Sequence, residues 1–449
     1  MKRGNTINTD DFRDLLRDNY CVYKPEIRCD GKPETNSKSK FVSKINRHQN
    51  DDRTDKDNLN EINIGKKIMK IDNYDRRFSP IISSCVINKN NFDIKNNQPN
   101  LMPDFRYIPD GSCGMFSIAE TNTHSDDDIM NMIFKYNQNT PLFELLVQGI
   151  KTTTEKVNNF LQTYLYIVQS IKILSDVQIV TNKLDMNIVM SDDNTPIPII
   201  TDFEISIDMD KMEKSKLYFK QMVTNTKLSN VKNLDLILLK YVHQSLKSKS
   251  SFGDKDVIRL MSLYHIRFIP LMDGRMFVNK KYSNFVDSFH KESNEYVSKF
   301  IGMKKDDITK SILKNYKSWD LFNLSSYMRI ELLHNIYYIR KPKSERPEQT
   351  PIMNEFLDIL MKNMSPDPEN RYTHDKTIDM IEHLLLKGES STTTSIKNNN
   401  KTKKTKKTKK TKKTKKTKKT KKTKKTKKTK KTNKNNKNNK NNKTKKVQN

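Results

Sequence analysis

The sequence predicts an α+β protein of two lobes, one small and β-rich, one large and helical, followed by a disordered basic tail. Three observations predict it. Residues 12–136 carry short β-rich runs between polar turns, residues 137–388 turn mainly to helical spacing, and residues 389–449 lose nearly all apolar side chains. Strands gathered first and helices gathered second define an α+β chain, not one of alternating βαβ units.

The elements follow in order. YCVY (20–23) and KFVSKI (40–45) are strand-like, with the polar turn CDGKPETNSKS between them. Residues 57–71 read as a helix, capped by Asn58 or Asn60, with Ile62, Ile64, Ile68 and Met69 as its apolar positions. Strands are expected at 101–108 and 129–136. From Thr152 onward, Val157, Phe160, Leu161, Tyr164, Ile167, Val168, Ile171 and Leu174 recur at helix spacing. NIVM (187–190) and PIPIIT (196–201) read as two short strands joined by the turn SDDN. After Asp202 the pattern is mainly helical to residue 387, with loops at 244–256 and 341–350.

Charge separates the tail from the body. The formal net charge is +32, and the 28 lysines of residues 397–449, with no acid among them, leave 32 − 28 = +4 for the rest. A run of like charge without apolar residues cannot bury a core, so the tail is expected to be disordered and to bind polyanions such as nucleic acid without sequence preference. The near-neutral body, with no helix-turn-helix or zinc pattern, is not a dedicated DNA-binding domain. Cys21, Cys29, Cys85 and Cys113 have no metal-ligand spacing and are expected to be reduced thiols. The segment MKRGNTINTDDF has no apolar core of a signal peptide, and no apolar run reaches membrane-spanning length. A soluble, intracellular protein without a membrane partner is expected.

The chemistry concentrates in residues 187–203, NIVMSDDNTPIPIITDF. A hairpin there brings Asn187 and Asp202 together, and two such oxygen-bearing side chains can hold a Mg²⁺ that bridges phosphates. With this stretch the chain resembles the protein kinases, whose catalytic loop ends in Asn-Ile and is followed by a hairpin and Asp-Phe-Gly. Lys44 in FVSKI resembles the strand lysine that holds the α and β phosphates, and Glu61, 17 residues on in EINIGKKI, resembles the helix glutamate that pairs with it. Val22 in YCVY falls among the cofactor-binding positions. MIFKYNQNTPLFELL (132–146) resembles the hinge that holds adenine. SWDLFNLSSYMRIELL (318–333) places Asp320 at the aspartate that organises the catalytic loop from below. FLDILMKNMSPDPENRYT (356–373) places Arg371 at the arginine of the family's terminal segment. NYCVYKPEIRCDGKP and NYDRRFSPIISSC are similar to the serine/threonine kinases of giant viruses of the Mimivirus type. The resemblance runs patchily over residues 15–385. It implies ATP and Mg²⁺ as cofactors, a protein substrate or protein partner, and, for a viral member, the host cytoplasm or the virus particle.

Four departures bear on activity. NYCVYKP lacks the glycine of the phosphate-covering loop, where a side chain obstructs the approach of backbone amides to phosphate. Aligned without gaps, the catalytic loop puts Asn182 at the aspartate that accepts the substrate proton, and an amide is no base. Aligned with a one-residue deletion, it puts Thr181 at the family's histidine, Lys183 at that aspartate and Asp185 at its lysine; Asp185 could then act as a substitute carboxylate if the loop is rearranged. Asp-Phe-Gly reads Asp202-Phe203-Glu204. No Ala-Pro-Glu lies between 204 and 318, which leaves Lys232 or Asp235 as the residue facing Arg371. The resemblance therefore implies a serine/threonine-kinase-like protein with weak ATP·Mg²⁺-dependent phosphoryl transfer, or alternatively a pseudokinase that scaffolds a nucleotide or a partner.

Overall fold

The structure is a computed structural model and describes residues 20–24, 28–29, 41–47, 52–87, 102–103, 129–135, 153–182, 184, 188–190, 197–224, 233–246, 250–272, 280–337 and 350–401. It is mixed α+β, mostly helical, with a small sheet part. The strands are β1 (Tyr20–Lys24), β2 (Phe41–Arg47), β3 (Phe78–Ser79), β4 (Ile81–Ile87), β5 (Met102–Pro103), β6 (Ile129–Lys135), β7 (Ile179–Val180), β8 (Ile188–Met190), β9 (Pro198–Thr201) and β10 (Ile207–Asp208). The helices are α1 (Asp52–Ile68), α2 (Thr153–Asp176), α3 (Met209–Lys214), α4 (Lys216–Thr224), α5 (Leu234–Ser245), α6 (Asp254–Met272), α7 (Lys280–Ser298), α8 (Lys305–Leu313), α9 (Trp319–Tyr337), α10 (Pro351–Asn363) and α11 (His374–Lys401).

Five strands form an antiparallel sheet in the order β4-β6-β2-β1-β5. β9 lies between β3, parallel to it, and β8, antiparallel to it. β7 pairs with β10. The β-rich to helix-rich order is the expected one; β3 is not among the expected strands, α6 begins at Asp254 inside the loop expected at 244–256, and of the expected strand 101–108 and loop 341–350 all but 102–103 and 350 lie outside the described residues. Three further differences stand out. β4 carries no clean alternation, because a bulge between Ile81 and Ser83 shifts its register, and a broken period of two hides a strand from the sequence. β7 and β10 have two residues each, too few for any periodicity. α1 starts at Asp52, so Asn58 and Asn60 are not caps but buried residues inside the helix.

α2 is the centre of the packing. All eight of its periodic apolar residues are buried, as amphipathic spacing predicts. They pack with Leu321, Leu324 and Met328 of α9, Phe356 and Leu360 of α10, and Ile64 and Ile68 of α1. A buried polar thread crosses this core: the Tyr164 and Ser325 hydroxyls lie 2.7 Å apart, and Asn363 Nδ2 donates to Tyr164 Oη at 3.1 Å. A second core gathers α3 to α8 around Trp319.

One further expectation is corrected. Cys29 and Cys85 are joined as a disulfide rather than left as reduced thiols. Their separation of 56 residues carries no spacing signature, because the folded sheet region brings the two together. The chain divides into a unit of residues 1–395 and a second of 396–449. Helix α11 runs from His374 to Lys401, with Ile381 and Leu384 buried. Residues 402–449 lie outside the described residues. Among the described residues no helix is long and apolar enough to cross a membrane.

Candidate functional site

Lys44 lies on β2, between β1 and β6, with Val22 opposite it on one side and Met132 on the other. It is only 3% exposed. A buried ammonium is costly unless it is paired and hydrogen-bonded. Lys44 Nζ donates to Glu61 Oε2 of α1 at 2.9 Å and to Asp202 Oδ1 at 3.1 Å. Residues 17 and 158 positions away thus meet at one nitrogen. Burial pushes the Glu61 carboxyl up to about 7 against the opposing pull of Lys44, with Asp202 and Glu204 adding to the upward push.

Asp202 follows β9 directly and adopts φ +54°, the left-handed region that turns the chain out of the strand. Its side chain is 15% exposed, against 4% for Lys44 and 3% for Glu61. It is therefore the member of the cluster that reaches an edge. Phe203, the next residue, is buried in the same core as Ile64 and Phe78. Ile188, which follows Asn187 in sequence, pairs with Ile200, two residues before Asp202. Asn187 itself lies outside the described residues, as do Lys183 and Asp185, and so do the hinge residues from 136 to 146.

Asn182 is placed differently from the gap-free expectation. It is 3% exposed, at φ +61°, and its Nδ2 donates to the Ile205 carbonyl at 3.1 Å. The Asn182 side chain is thus turned into the interior. The Asp320 carboxylate of α9 holds this loop from within. It accepts from Thr181 N at 2.7 Å, Thr181 Oγ1 at 2.9 Å and Asn182 N at 2.9 Å. Burial pushes the Asp320 carboxyl up to about 6, against those three hydrogen bonds. Asn323 Nδ2 donates to the Asn182 carbonyl at 3.2 Å, which closes the loop.

The residue facing Arg371 is Asp235, at 3.2 Å and fully enclosed; Lys232 lies outside the described residues. Sequence reading missed a second set of polar residues, Asn60, Lys67, Asp208 and Tyr218, which ties α1 to the segment after Asp202. The one available signal was Asn60, a polar residue in a predicted helix, and it was spent on capping.

The cluster places a carboxylate with an exposed edge beside a buried ammonium. Among the described residues no group of three or more His, Cys, Asp and Glu side chains could hold a metal ion. Mg²⁺ takes few protein ligands and completes its shell with water and phosphate, so a single edge carboxylate suits it when phosphates supply the rest. No protein-family model and no curated protein matches this chain.

Proposed function

We propose that this chain is a two-lobed, protein-kinase-like protein. It binds ATP with Mg²⁺ and transfers phosphoryl groups to protein hydroxyls only weakly. The observation that carries this reading is the double contact of Lys44 with Glu61 and Asp202. Lysine on a strand, glutamate on the next helix and an aspartate after a hairpin are the parts that position ATP phosphates and metal in the kinases. In this reading Lys44 holds the α and β phosphates, Glu61 fixes Lys44, and Asp202 with Asn187 holds the metal. Bound Mg²⁺ would neutralise charge on the phosphates. The protein's share is to orient those groups and to keep the ammonium matched.

Two further contacts support the reading. Asp320 grips residues 181 and 182, the place where the kinase aspartate grips its catalytic loop. The Arg371–Asp235 pair is compatible with the kinase pairing of arginine with the glutamate of Ala-Pro-Glu. The grip on Thr181 favours the alignment with a one-residue deletion, so Lys183 takes the place of the catalytic aspartate. An ammonium cannot accept the substrate proton there. Positioning and electrostatics supply most of the acceleration in phosphoryl transfer, so loss of the base slows the reaction without removing nucleotide binding.

The same lysine favours a second reading, a pseudokinase that uses the cleft to bind a nucleotide or to scaffold a partner. Thermal shift against ATP and Mg²⁺, together with transfer of labelled phosphate to a generic protein substrate, separates the two. The expected result is a melting temperature that rises with ATP·Mg²⁺ in the wild type and not in Asp202→Ala, with slow transfer that Lys183→Asp increases. Binding without any gain in Lys183→Asp selects the pseudokinase. Strong transfer that survives Asp202→Ala overturns both.

A further inference from the structure

Helix α1 carries Glu61, so its rotation and tilt decide whether Glu61 meets Lys44. Asn60, the preceding residue, projects about 100° around the helix from Glu61. Its Nδ2 donates to the carbonyls of Ser206 at 2.8 Å and Glu204 at 3.3 Å, and its Oδ1 accepts from Tyr218 Oη at 2.9 Å. The Tyr218 hydroxyl in turn accepts from Asp208 N at 2.9 Å. Asp208 Oδ1 receives Lys67 Nζ at 2.8 Å. Asn60 and Lys67 are seven residues apart, two turns along one face of α1. Segment 204–218 therefore holds the helix at two points on that face.

Another contact closes the remaining freedom. A Cβ on Gly65 would stand 2.4 Å from the carbonyl oxygen of Ile81, so α1 is seated directly on the backbone of β4. The helix cannot roll toward the sheet without a clash. It cannot roll away without breaking buried hydrogen bonds at Asn60, which is 8% exposed. Buried polar groups left unpaired cost more than the bonds are worth when made.

We propose that Asn60 and Tyr218 are positioning residues, a latch that holds α1 at the rotation where Glu61 meets Lys44. The latch belongs to the chain itself and uses neutral side chains at its centre. For its functional consequence the inference rests on the nucleotide-binding reading above; for its structural consequence it does not.

The test uses the full chain. Tyr218→Phe keeps the ring and removes both hydroxyl bonds. Amide hydrogen exchange without nucleotide is expected to quicken about tenfold in residues 52–68, the effect of losing one or two buried hydrogen bonds. Exchange in α2 and α9 is expected to stay unchanged. ATP·Mg²⁺ affinity is expected to fall about tenfold, and not to fall further when Tyr218→Phe is added to Glu61→Gln, because the latch acts through Glu61. Asn60→Ser, which shortens the same link, should repeat the pattern. Unchanged exchange in 52–68, or a rise shared equally by α2 and α9, overturns the latch. Additive losses of affinity in the double variant overturn the route through Glu61. If the wild type binds no ATP·Mg²⁺, the nucleotide reading fails while exchange still decides the latch.

Discussion

Two buried ion pairs, Lys44 with Asp202 and Arg371 with Asp235, use the same device to different ends. Arg371 spends every nitrogen inside the protein. Its Nε donates to the Ser365 carbonyl at 2.7 Å, Nη2 to the Pro366 carbonyl at 3.0 Å, and Nη1 to Asp235 at 3.2 Å and Ser318 Oγ at 3.0 Å. The Phe322 ring lies 4.8 Å from the guanidinium carbon, and Tyr296 donates to the other oxygen of Asp235. Both charged side chains are wholly enclosed. Lys44 is nearly as buried, but the side chain of its partner Asp202 is 15% exposed. A closed network has no group left to meet a ligand and can only hold α5, α7, α9 and the 365–371 turn together. A partly exposed one has a member that solvent reaches. Exposure at the rim, rather than the presence of an ion pair, distinguishes the two.

Removing one partner from the closed pair should have the largest effect on stability. Asp235→Ala leaves a buried guanidinium without its counter-charge and should cost about 3–5 kcal/mol, read from urea unfolding. A loss under about 1 kcal/mol would show that water reaches the arginine.

Acid should have the next largest effect. His374 opens α11 three residues after Arg371, and among the described residues its Nε2 has no hydrogen-bond partner. Burial pushes its imidazole down from 6.5 to about 4. The folded protein therefore keeps this histidine neutral while the unfolded chain protonates it. Its contribution is fully present above pH 6.5, is lost as pH falls toward 4, and changes no further below that. The loss should amount to about 1–3 kcal/mol. His374→Gln should flatten that part of the stability–pH curve. A wild-type curve that matches the variant from pH 7 to 4 would place the ring in water.

The open pair should behave in the opposite way. Asp202→Ala leaves Lys44 bonded to Glu61, so it should cost about 1 kcal/mol of stability while removing the ATP·Mg²⁺ response. A cost equal to that of Asp235→Ala would make Asp202 a structural residue and erase the contrast. The smallest effect on the fold belongs to the tail. Deleting residues 402–449 should leave the melting temperature of the body unchanged and remove binding to polyanions, including its steep dependence on salt. A body that fails to fold without them would make the tail structural.

Much of this arrangement could be read from local pattern. The period of α2 predicted each of its buried apolar residues, and the β-to-helix shift predicted the class of fold. Residue types at kinase-like spacing also singled out Lys44, Glu61 and Asp202, three residues that meet at hydrogen-bonding distance. Other points depended on tertiary structure. Asn60 has the composition of a cap and the burial of a core residue, because segment 204–218 gives its amide partners that helix propensity cannot anticipate. Asn182, a candidate from a loop alignment, is buried with its amide on the Ile205 carbonyl, a partner 23 residues on that no local pattern announces. The choice between Lys232 and Asp235 opposite Arg371 needed the fold, as did the pairing of Cys29 with Cys85.

The sequence by itself determined what short-range physics controls: which segments have an apolar face, which lack a core, and which charged residues stand at informative spacing. Only the tertiary structure decided which partner each buried polar group has. A hydrophobic period is repeated over many neighbouring residues and survives local errors. A buried charge or amide is satisfied by one atom from a residue that can lie more than a hundred positions away, as Asp202 does for Lys44 and Asp320 for Thr181.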